Sequence, residues 1–122
     1  MPRILVADDD AWQLDLRCRL LEAGGHKVAL AFNPSEAMRH LSAVDLIIMD
    51  LRFPNAEGEA DPAEGLALIR RIRDTGCQLP LIVVSGWPED LAGRPEADLV
   101  TLVLAKPVGM QNMLRAIQEL VE

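Results

Sequence analysis

The sequence predicts one doubly wound α/β domain with a five-stranded parallel sheet in the order 2-1-3-4-5 and about five helices. Three observations lead to this fold class. Short apolar runs alternate with segments of helical periodicity, three of the helices begin with a capping residue, and the run at Leu46–Met49 is apolar without interruption. Such runs are typical of strands buried on both faces, and their alternation with helices implies right-handed crossovers on both sides of the sheet.

Composition supports a single domain, which we expect to span residues 1–122. The chain has 122 residues, of which 50% are apolar and 25% charged, as in ordinary globular proteins. The net charge of −7 argues against nucleic-acid binding, which needs a basic patch. No apolar run approaches the roughly 20 residues of a membrane span, so we expect no membrane partner. Met1–Ile4 leads directly into a strand pattern, which predicts no signal peptide, and Cys18 and Cys77 lack metal-ligand spacing, which favours a cytoplasmic location.

The predicted strands end at residues with chemically useful side chains. The strands are Ile4–Ala7, Val28–Ala31, Leu46–Met49, Leu79–Val84 and Leu99–Ala105. The first stops at the acids Asp8–Asp10, and the third stops at Asp50, before Phe53–Pro54, which cannot continue a central strand. The fourth is followed by Ser85–Gly86 and the fifth by Lys106–Pro107.

The predicted helices are marked by their first and last residues. Asp10, Asn33 and Asp61 are suitable N-caps, and the last two are followed by proline and, three residues after the cap, by glutamate. Gly24–Gly25 closes the first helix. Trp12 is expected to pack in this helix, and its place just after the acids leaves a role at the site open. The segment between the fourth and fifth strands contains two prolines and a glycine, so any helix there should be short or irregular. These elements together predict a flavodoxin-like fold.

The carboxyl ends of parallel strands meet at one edge of a sheet, so we expect Asp8–Asp10, Asp50, Ser85 and Lys106 to converge there. Crowded carboxylates repel one another unless a cation lies among them. An all-oxygen ligand set without Cys or His suits Mg²⁺. Lys106 and Ser85 could hold the other oxygens of a phosphoryl group, and aspartate is a known covalent nucleophile. The residues therefore predict phosphoryl transfer onto Asp50.

This pattern resembles the receiver domain of two-component response regulators, the CheY-like family, over the whole chain. The matching residues are Asp8–Asp9, Asp50, Pro54, Ser85–Gly86 and Lys106–Pro107. The resemblance implies that Asp50 is the phosphoacceptor and that the donor is a histidine kinase or histidine phosphotransfer protein. It also implies that Ser85 bonds a phosphoryl oxygen after transfer and that Lys106 pairs with the phosphoryl group. The domain would signal by altered binding to an unknown downstream protein.

The resemblance further implies a metal site. Asp9 and Asp50 would ligate Mg²⁺ together with the main-chain carbonyl of Arg52, and Asp8 would act largely through water. The domain would then be a signalling module and not an enzyme. A phosphohydrolase with an aspartyl nucleophile is a poor alternative, because such enzymes typically place a second acid two residues after the nucleophile, where this chain has Arg52.

Three features depart from the family pattern. Val103 stands where members usually carry the Tyr or Phe whose rotation reports phosphorylation, and Trp87 in Ser-Gly-Trp could supply that aromatic instead. The loop from Pro54 to the third helix is longer than usual, so that either Gly58 or Gly65 could be the family glycine. The segment from Arg52 to Asp61 is expected to be exposed. A degenerate receiver that binds partners without phosphorylation remains the alternative. The sequence also leaves open a stand-alone regulator, a phosphorelay shuttle or the receiver of a larger kinase.

Overall fold

The computed structural model describes residues 3–121, so Met1, Pro2 and Glu122 at the ends of the predicted domain lie outside it. Its strands are β1 (Arg3–Ala7), β2 (Lys27–Ala31), β3 (Leu46–Met49), β4 (Phe53–Pro54), β5 (Ala60–Asp61), β6 (Leu81–Ser85) and β7 (Leu102–Ala105). Its α-helices are α1 (Ala11–Ala23), α2 (Pro34–Arg39), α3 (Pro62–Asp74) and α4 (Met110–Val121). Short 3₁₀ helices occupy Leu41–Ala43, Pro88–Asp90 and Pro95–Leu99.

Five of these strands form one parallel sheet in the order β2-β1-β3-β6-β7. This is the predicted order 2-1-3-4-5, and the predicted fold class is confirmed. The remaining strands, β4 and β5, pair antiparallel in a separate hairpin after β3. All five parallel strands therefore deliver their carboxyl ends to one edge, as a doubly wound sheet requires.

Side chains alternate between two apolar layers, one on each face of the sheet. In β1, Leu5 points into the layer shared with α2 and α3, whereas Ile4 points into the layer shared with α1 and α4. In β3, Ile47 and Ile48 divide in the same way, and both are fully buried. Two-sided burial accounts for the uninterrupted apolar runs of the central strands.

The predicted caps hold the helices as expected. The Asp10 carboxylate accepts hydrogen bonds from the N–H groups of Trp12 and Gln13 at the start of α1. Asn33 accepts from the N–H of Glu36 at α2, and Asp61 accepts from an N–H of the first turn of α3. These caps satisfy N–H groups that have no partner within the helix itself.

The crossover from β6 to β7 differs in part from the prediction. It consists of two 3₁₀ helices, so residues 3–121 contain four α-helices instead of about five. Pro88 and Pro95 begin these two turns, and Gly93 lies between them with a φ of 77°. The last strand begins at Leu102 and not at Leu99, because Leu99 completes the second 3₁₀ helix.

Two further expectations are wrong. Trp12 does not pack in the core, since its side chain is 74% exposed. The loop after β3 is not uniformly exposed, because Phe53 is fully buried and anchors the β4–β5 hairpin. Among the described residues, no helix combines the length and apolar character needed to cross a membrane.

Of the two candidate family glycines, Gly65 is the one that packs against the segment after Asp50. It lies in the first turns of α3, where a Cβ would overlap the backbone of Leu51, and its N–H donates to the Leu51 carbonyl over 2.9 Å. A Cβ at Gly58 would meet open space. The close approach therefore requires Gly65 and fixes α3 against the segment that follows Asp50.

Candidate functional site

Three carboxylates meet at the carboxyl edge of the sheet. Asp8 and Asp9 follow β1, Asp50 follows β3, and one oxygen from each lies within 4.8 Å of the others. Asp8 is 1% exposed and Asp50 is also buried, whereas Asp9 is exposed. The predicted convergence of the strand ends thus produces an acidic cluster with two buried members and one that faces solvent.

The backbone fixes the two buried acids in place. The N–H of Asp50 donates to the carbonyl of Ala7 over 3.0 Å, which joins the ends of β1 and β3. The N–H of Asp10 donates to Asp8 Oδ1 over 3.0 Å, so the residue that caps α1 also orients the Asp8 carboxylate. The acids are therefore held by main-chain groups of rigid elements.

Lys106 brings a positive charge to this cluster from the end of β7. Its Nζ donates to Asp50 Oδ2 over 2.9 Å and lies 3.9 Å from Asp8 Oδ2. Its main-chain N–H donates to the carbonyl of Ser85 over 2.9 Å, and its peptide bond to Pro107 is cis. One lysine thus bridges two acids while its backbone is tied to β6.

Ser85 is buried at the end of β6. Its Oγ accepts a hydrogen bond from the N–H of Trp87 over 3.0 Å, which orients the hydroxyl and leaves its proton for another acceptor. Because β6 lies between β3 and β7, this hydroxyl reaches the same sheet edge as Asp50 and Lys106.

The electrostatics of Asp8 reflect its position. Burial raises the pKa of the Asp8 carboxyl above its ordinary value, and the nearby Asp50 carboxylate raises it further. The N–H of Asp10 and the charges of Lys106 and Arg17 oppose this rise. A buried acid with a raised pKa binds a cation readily, because the cation compensates the cost of its charge.

The residues present fit a hard divalent cation. Asp8 Oδ2 is buried and has no hydrogen-bond partner within residues 3–121, and the Asp8 carboxylate lies beside those of Asp9 and Asp50. An orphaned buried carboxylate oxygen is costly, and an all-oxygen set of this kind is what Mg²⁺ prefers.

Arg17, which was not predicted as a site residue, enters the site from α1. Its side chain is only 9% exposed, and its Nη1 lies 3.7 Å from Asp8 Oδ2. Leu14 and Leu21 share the buried face of α1 with it. The signal was present in the spacing, since Arg17 follows Leu14 by three residues and precedes Leu21 by four.

A second unpredicted contact joins the loops after β3 and β6. The guanidinium of Arg52 donates to both carboxylate oxygens of Asp90 over 2.8 and 3.2 Å. Its carbon lies 3.8 Å from the centroid of the Trp87 ring. We call these three residues the loop clasp. No local sequence pattern predicts the loop clasp, because Arg52 and Asp90 are 38 residues apart.

Arg52 and Val103 are the remaining residues singled out in the sequence. The main-chain N–H of Arg52 lies 3.4 Å from Asp50 Oδ1, so its peptide unit follows the acid closely. Val103 lies in β7 and is 39% exposed.

Comparison with known proteins identifies the family to which the chain is similar. The family model described as the response regulator receiver domain matches residues 4–118. The chain is 30% identical over 114 residues to the CAI-1 autoinducer sensor kinase/phosphatase CqsS of Vibrio cholerae, covering 92% of this chain and 15% of that protein. It is 32% identical over 130 residues to the virulence transcriptional regulatory protein PhoP of Salmonella typhimurium, covering 98% and 52%. The chain therefore spans about half or less of these relatives.

A solved structure has the same fold. The response regulator TrrA from Thermotoga maritima, determined in complex with Mg²⁺-BeF, superimposes with a TM-score of 0.83 at 21% identity. The match covers 98% of this chain and 99% of that chain.

Proposed function

Since this chain belongs to the response regulator receiver domain family of two-component systems, we propose that Asp50 accepts a phosphoryl group and that the domain signals through its phosphorylated state. The donor is a histidine kinase or a histidine phosphotransfer protein, and the reaction requires Mg²⁺. We assign the domain to residues 1–122 and to the cytoplasm. It acts as a switch for a downstream protein partner and not as an enzyme with its own substrate turnover.

The observation that carries this proposal is the contact of Lys106 with Asp50 beside a second buried acid. Lys106 Nζ lies 2.9 Å from Asp50 Oδ2 and 3.9 Å from Asp8 Oδ2. From this position Lys106 contacts Asp50 when it is a carboxylate, and it can remain in contact with the same residue when Asp50 is an acyl phosphate. It then stabilises the negative charge that the transferred group brings.

The transfer itself needs little covalent chemistry from the protein. An oxygen of Asp50 forms a bond to phosphorus, the bond between phosphorus and the donor's imidazole nitrogen breaks, and its electron pair stays on the imidazole. Lys106 pairs with a phosphoryl oxygen, and the Ser85 hydroxyl donates to another. The loop clasp keeps the Arg52 peptide beside Asp50 during this exchange.

The metal ligands that we propose are Asp9, Asp50 and the main-chain carbonyl of Arg52, with Asp8 acting through water. Bound Mg²⁺ would neutralise the acids and draw negative charge from the phosphoryl oxygens. Support comes from the orphaned Asp8 oxygen and from the relative TrrA, whose structure contains Mg²⁺-BeF.

We propose that the donor docks on the outer face of α1. Trp12, Leu16 and Leu20 are spaced four residues apart and are all exposed, so they form one apolar stripe along this helix. The stripe begins two residues after Asp10, beside the acidic cluster. A donor that brings a phosphohistidine to Asp50 must cover the surface next to it, and an apolar stripe suits a helix of that donor.

The direct test is phosphorylation by a small phosphodonor such as acetyl phosphate, followed by intact mass. With Mg²⁺ the wild-type protein should gain one phosphoryl group, and Asp50→Asn or chelation of the metal should abolish the gain. Asp45→Asn is the matched control, because Asp45 is an exposed acid at the opposite end of the same strand. An unchanged mass of the wild type, together with partner binding indifferent to Asp50→Ala, would favour the phosphorylation-independent module instead.

A further inference from the structure

Arg17 occupies a position that stability alone would fill with an apolar residue. It lies on the buried face of α1 between Leu14 and Leu21, and the residue is 8% exposed. Its Nη1 is buried and has no hydrogen-bond partner in the part of the chain that the structure describes. Burying a guanidinium without full hydrogen bonding costs folding free energy, so a charge at this point calls for a role.

The partner that Arg17 faces is a member of the acidic cluster. Nη1 lies 3.7 Å from Asp8 Oδ2, the oxygen that also lacks a hydrogen bond within the described residues. This separation is an ion pair without a close hydrogen bond. Arg17 therefore acts on the cluster chiefly through its charge, and it leaves the Asp8 oxygen available to a water of the metal shell.

The positive charge of Arg17 changes the net charge of the site. The three carboxylates of Asp8, Asp9 and Asp50 face two cations, Lys106 and Arg17, which leaves one negative charge. A bound divalent cation turns that balance into one positive charge. Because an acyl phosphate carries close to two negative charges at neutral pH, conversion of the Asp50 carboxylate then brings the loaded site close to neutrality.

We propose that Arg17 is a fixed counter-charge of the acidic site, which weakens Mg²⁺ binding before phosphorylation and stabilises the site once Asp50 carries a phosphoryl group. This inference rests on the function proposed above. Arg17 is a positioning residue, since it contacts Asp8 and not the reacting atoms. It biases the domain toward holding metal and phosphoryl group together instead of metal alone.

The test measures two affinities whose changes should be opposite in sign. Mg²⁺ binding is titrated by calorimetry on the phosphate-free protein. Beryllofluoride, a phosphoryl mimic that adds one negative charge to Asp50, is then titrated at saturating Mg²⁺. For Arg17→Met, we expect Mg²⁺ to bind about tenfold more tightly and beryllofluoride about tenfold more weakly, as removal of one nearby charge predicts.

Three variants separate charge from structure. Arg17→Gln removes the charge but keeps a donor toward Asp8, so it should reproduce both shifts even if the Met variant folds poorly. Arg17→Lys keeps the charge and should leave both affinities near the wild-type values. Arg19→Met removes a positive charge from the exposed face of the same helix, where Arg19 pairs with Asp15, and should move neither.

The outcomes are distinguishable. Equal affinities for Arg17→Gln and Arg19→Met would overturn the inference and leave the proposed function intact. Weakening of both ligands by Arg17→Gln would also overturn it, because a structural defect has that effect. If the wild-type protein binds no Mg²⁺, both the inference and the proposed metal site fall.

Discussion

The guanidinium carbon of Arg52 lies 3.8 Å from the centroid of the Trp87 ring and its nitrogens reach both oxygens of Asp90, so one side chain connects the loops that follow β3 and β6. Arg52 itself supplies the proposed carbonyl ligand of the metal, and the loop after β6 begins directly after Ser85, whose hydroxyl belongs to the site. The contact thus joins two groups that must be correctly placed at the same time.

Loosening the loop clasp should weaken metal binding without removing any ligand. Asp90→Asn breaks the bidentate ion pair, and we expect the Mg²⁺ dissociation constant to rise by up to about tenfold, as for residues that orient ligands. Calorimetric titration measures this change. Glu89→Gln, an exposed neighbour, is the matched control. Equal dissociation constants for the two variants would show that the clasp does not position the metal site.

Gly65→Ala should destabilise the domain by about 1–3 kcal/mol, because the new methyl group would overlap the Leu51 backbone. Urea unfolding gives this free energy directly. Gly86→Ala provides the control, since a Cβ there meets open space, and its effect should stay within about 0.5 kcal/mol. A Gly65→Ala protein as stable as wild type would mean that α3 can move away from Leu51 at little cost.

The apolar stripe on α1 predicts a difference between donors. Leu16→Glu should slow phosphoryl transfer from the cognate donor protein by about tenfold or more, because a central apolar contact is lost. Transfer from acetyl phosphate should keep its wild-type rate, since the site itself is untouched. Gln78→Glu adds a negative charge at an exposed position before β6, at the opposite edge of the sheet, and should preserve both rates. Equal slowing with both donors would assign Leu16 to the site or the fold instead of docking.

Asp61 should make the start of α3 sensitive to acid. The N–H of Ala63 lowers the pKa of the Asp61 carboxyl, and the Asn55 side chain lowers it further. A depressed pKa contributes stability above the ordinary carboxyl pKa of 3.8, and this contribution disappears as the pH falls through the lower folded-state value. The stability difference between wild type and Asp61→Asn, measured by urea unfolding, should therefore be present at pH 7 and shrink below about pH 4. A constant difference across that range would contradict the assignment.

The fold and most of the candidate site were predictable because their signals are local. Uninterrupted apolar runs gave the central strands, and capping residues such as Asp10 and Asn33 marked the helix starts. Once the strands are parallel, Asp8, Asp50 and Lys106 must meet at one edge, whatever the details of packing.

The errors arise where one residue's environment depends on distant parts of the chain. Trp12 was expected to pack, yet it is exposed because it lies roughly 200° around the helix from Leu14, and residues two apart do not share a face. Arg17 has the spacing of the buried face of α1, but its charge predicts exposure unless a partner outside the helix is known, and that partner is Asp8. Thr101 terminates the crossover because its hydroxyl accepts from the N–H of Leu81, twenty residues earlier, which no apolar run reveals.

No side chain lies between Gly65 and the Leu51 backbone, and this close contact should couple the movements of the two segments. Elsewhere a helix rests on its sheet through side chains that can rotate and absorb small movements, but here backbone lies directly on backbone. We therefore expect α3 to move together with the chain after Asp50 when that segment is displaced. The exposed arginines at 70 and 71 lie on that helix, so we expect a partner that binds them to register a change at Asp50 as a shift of the whole helix.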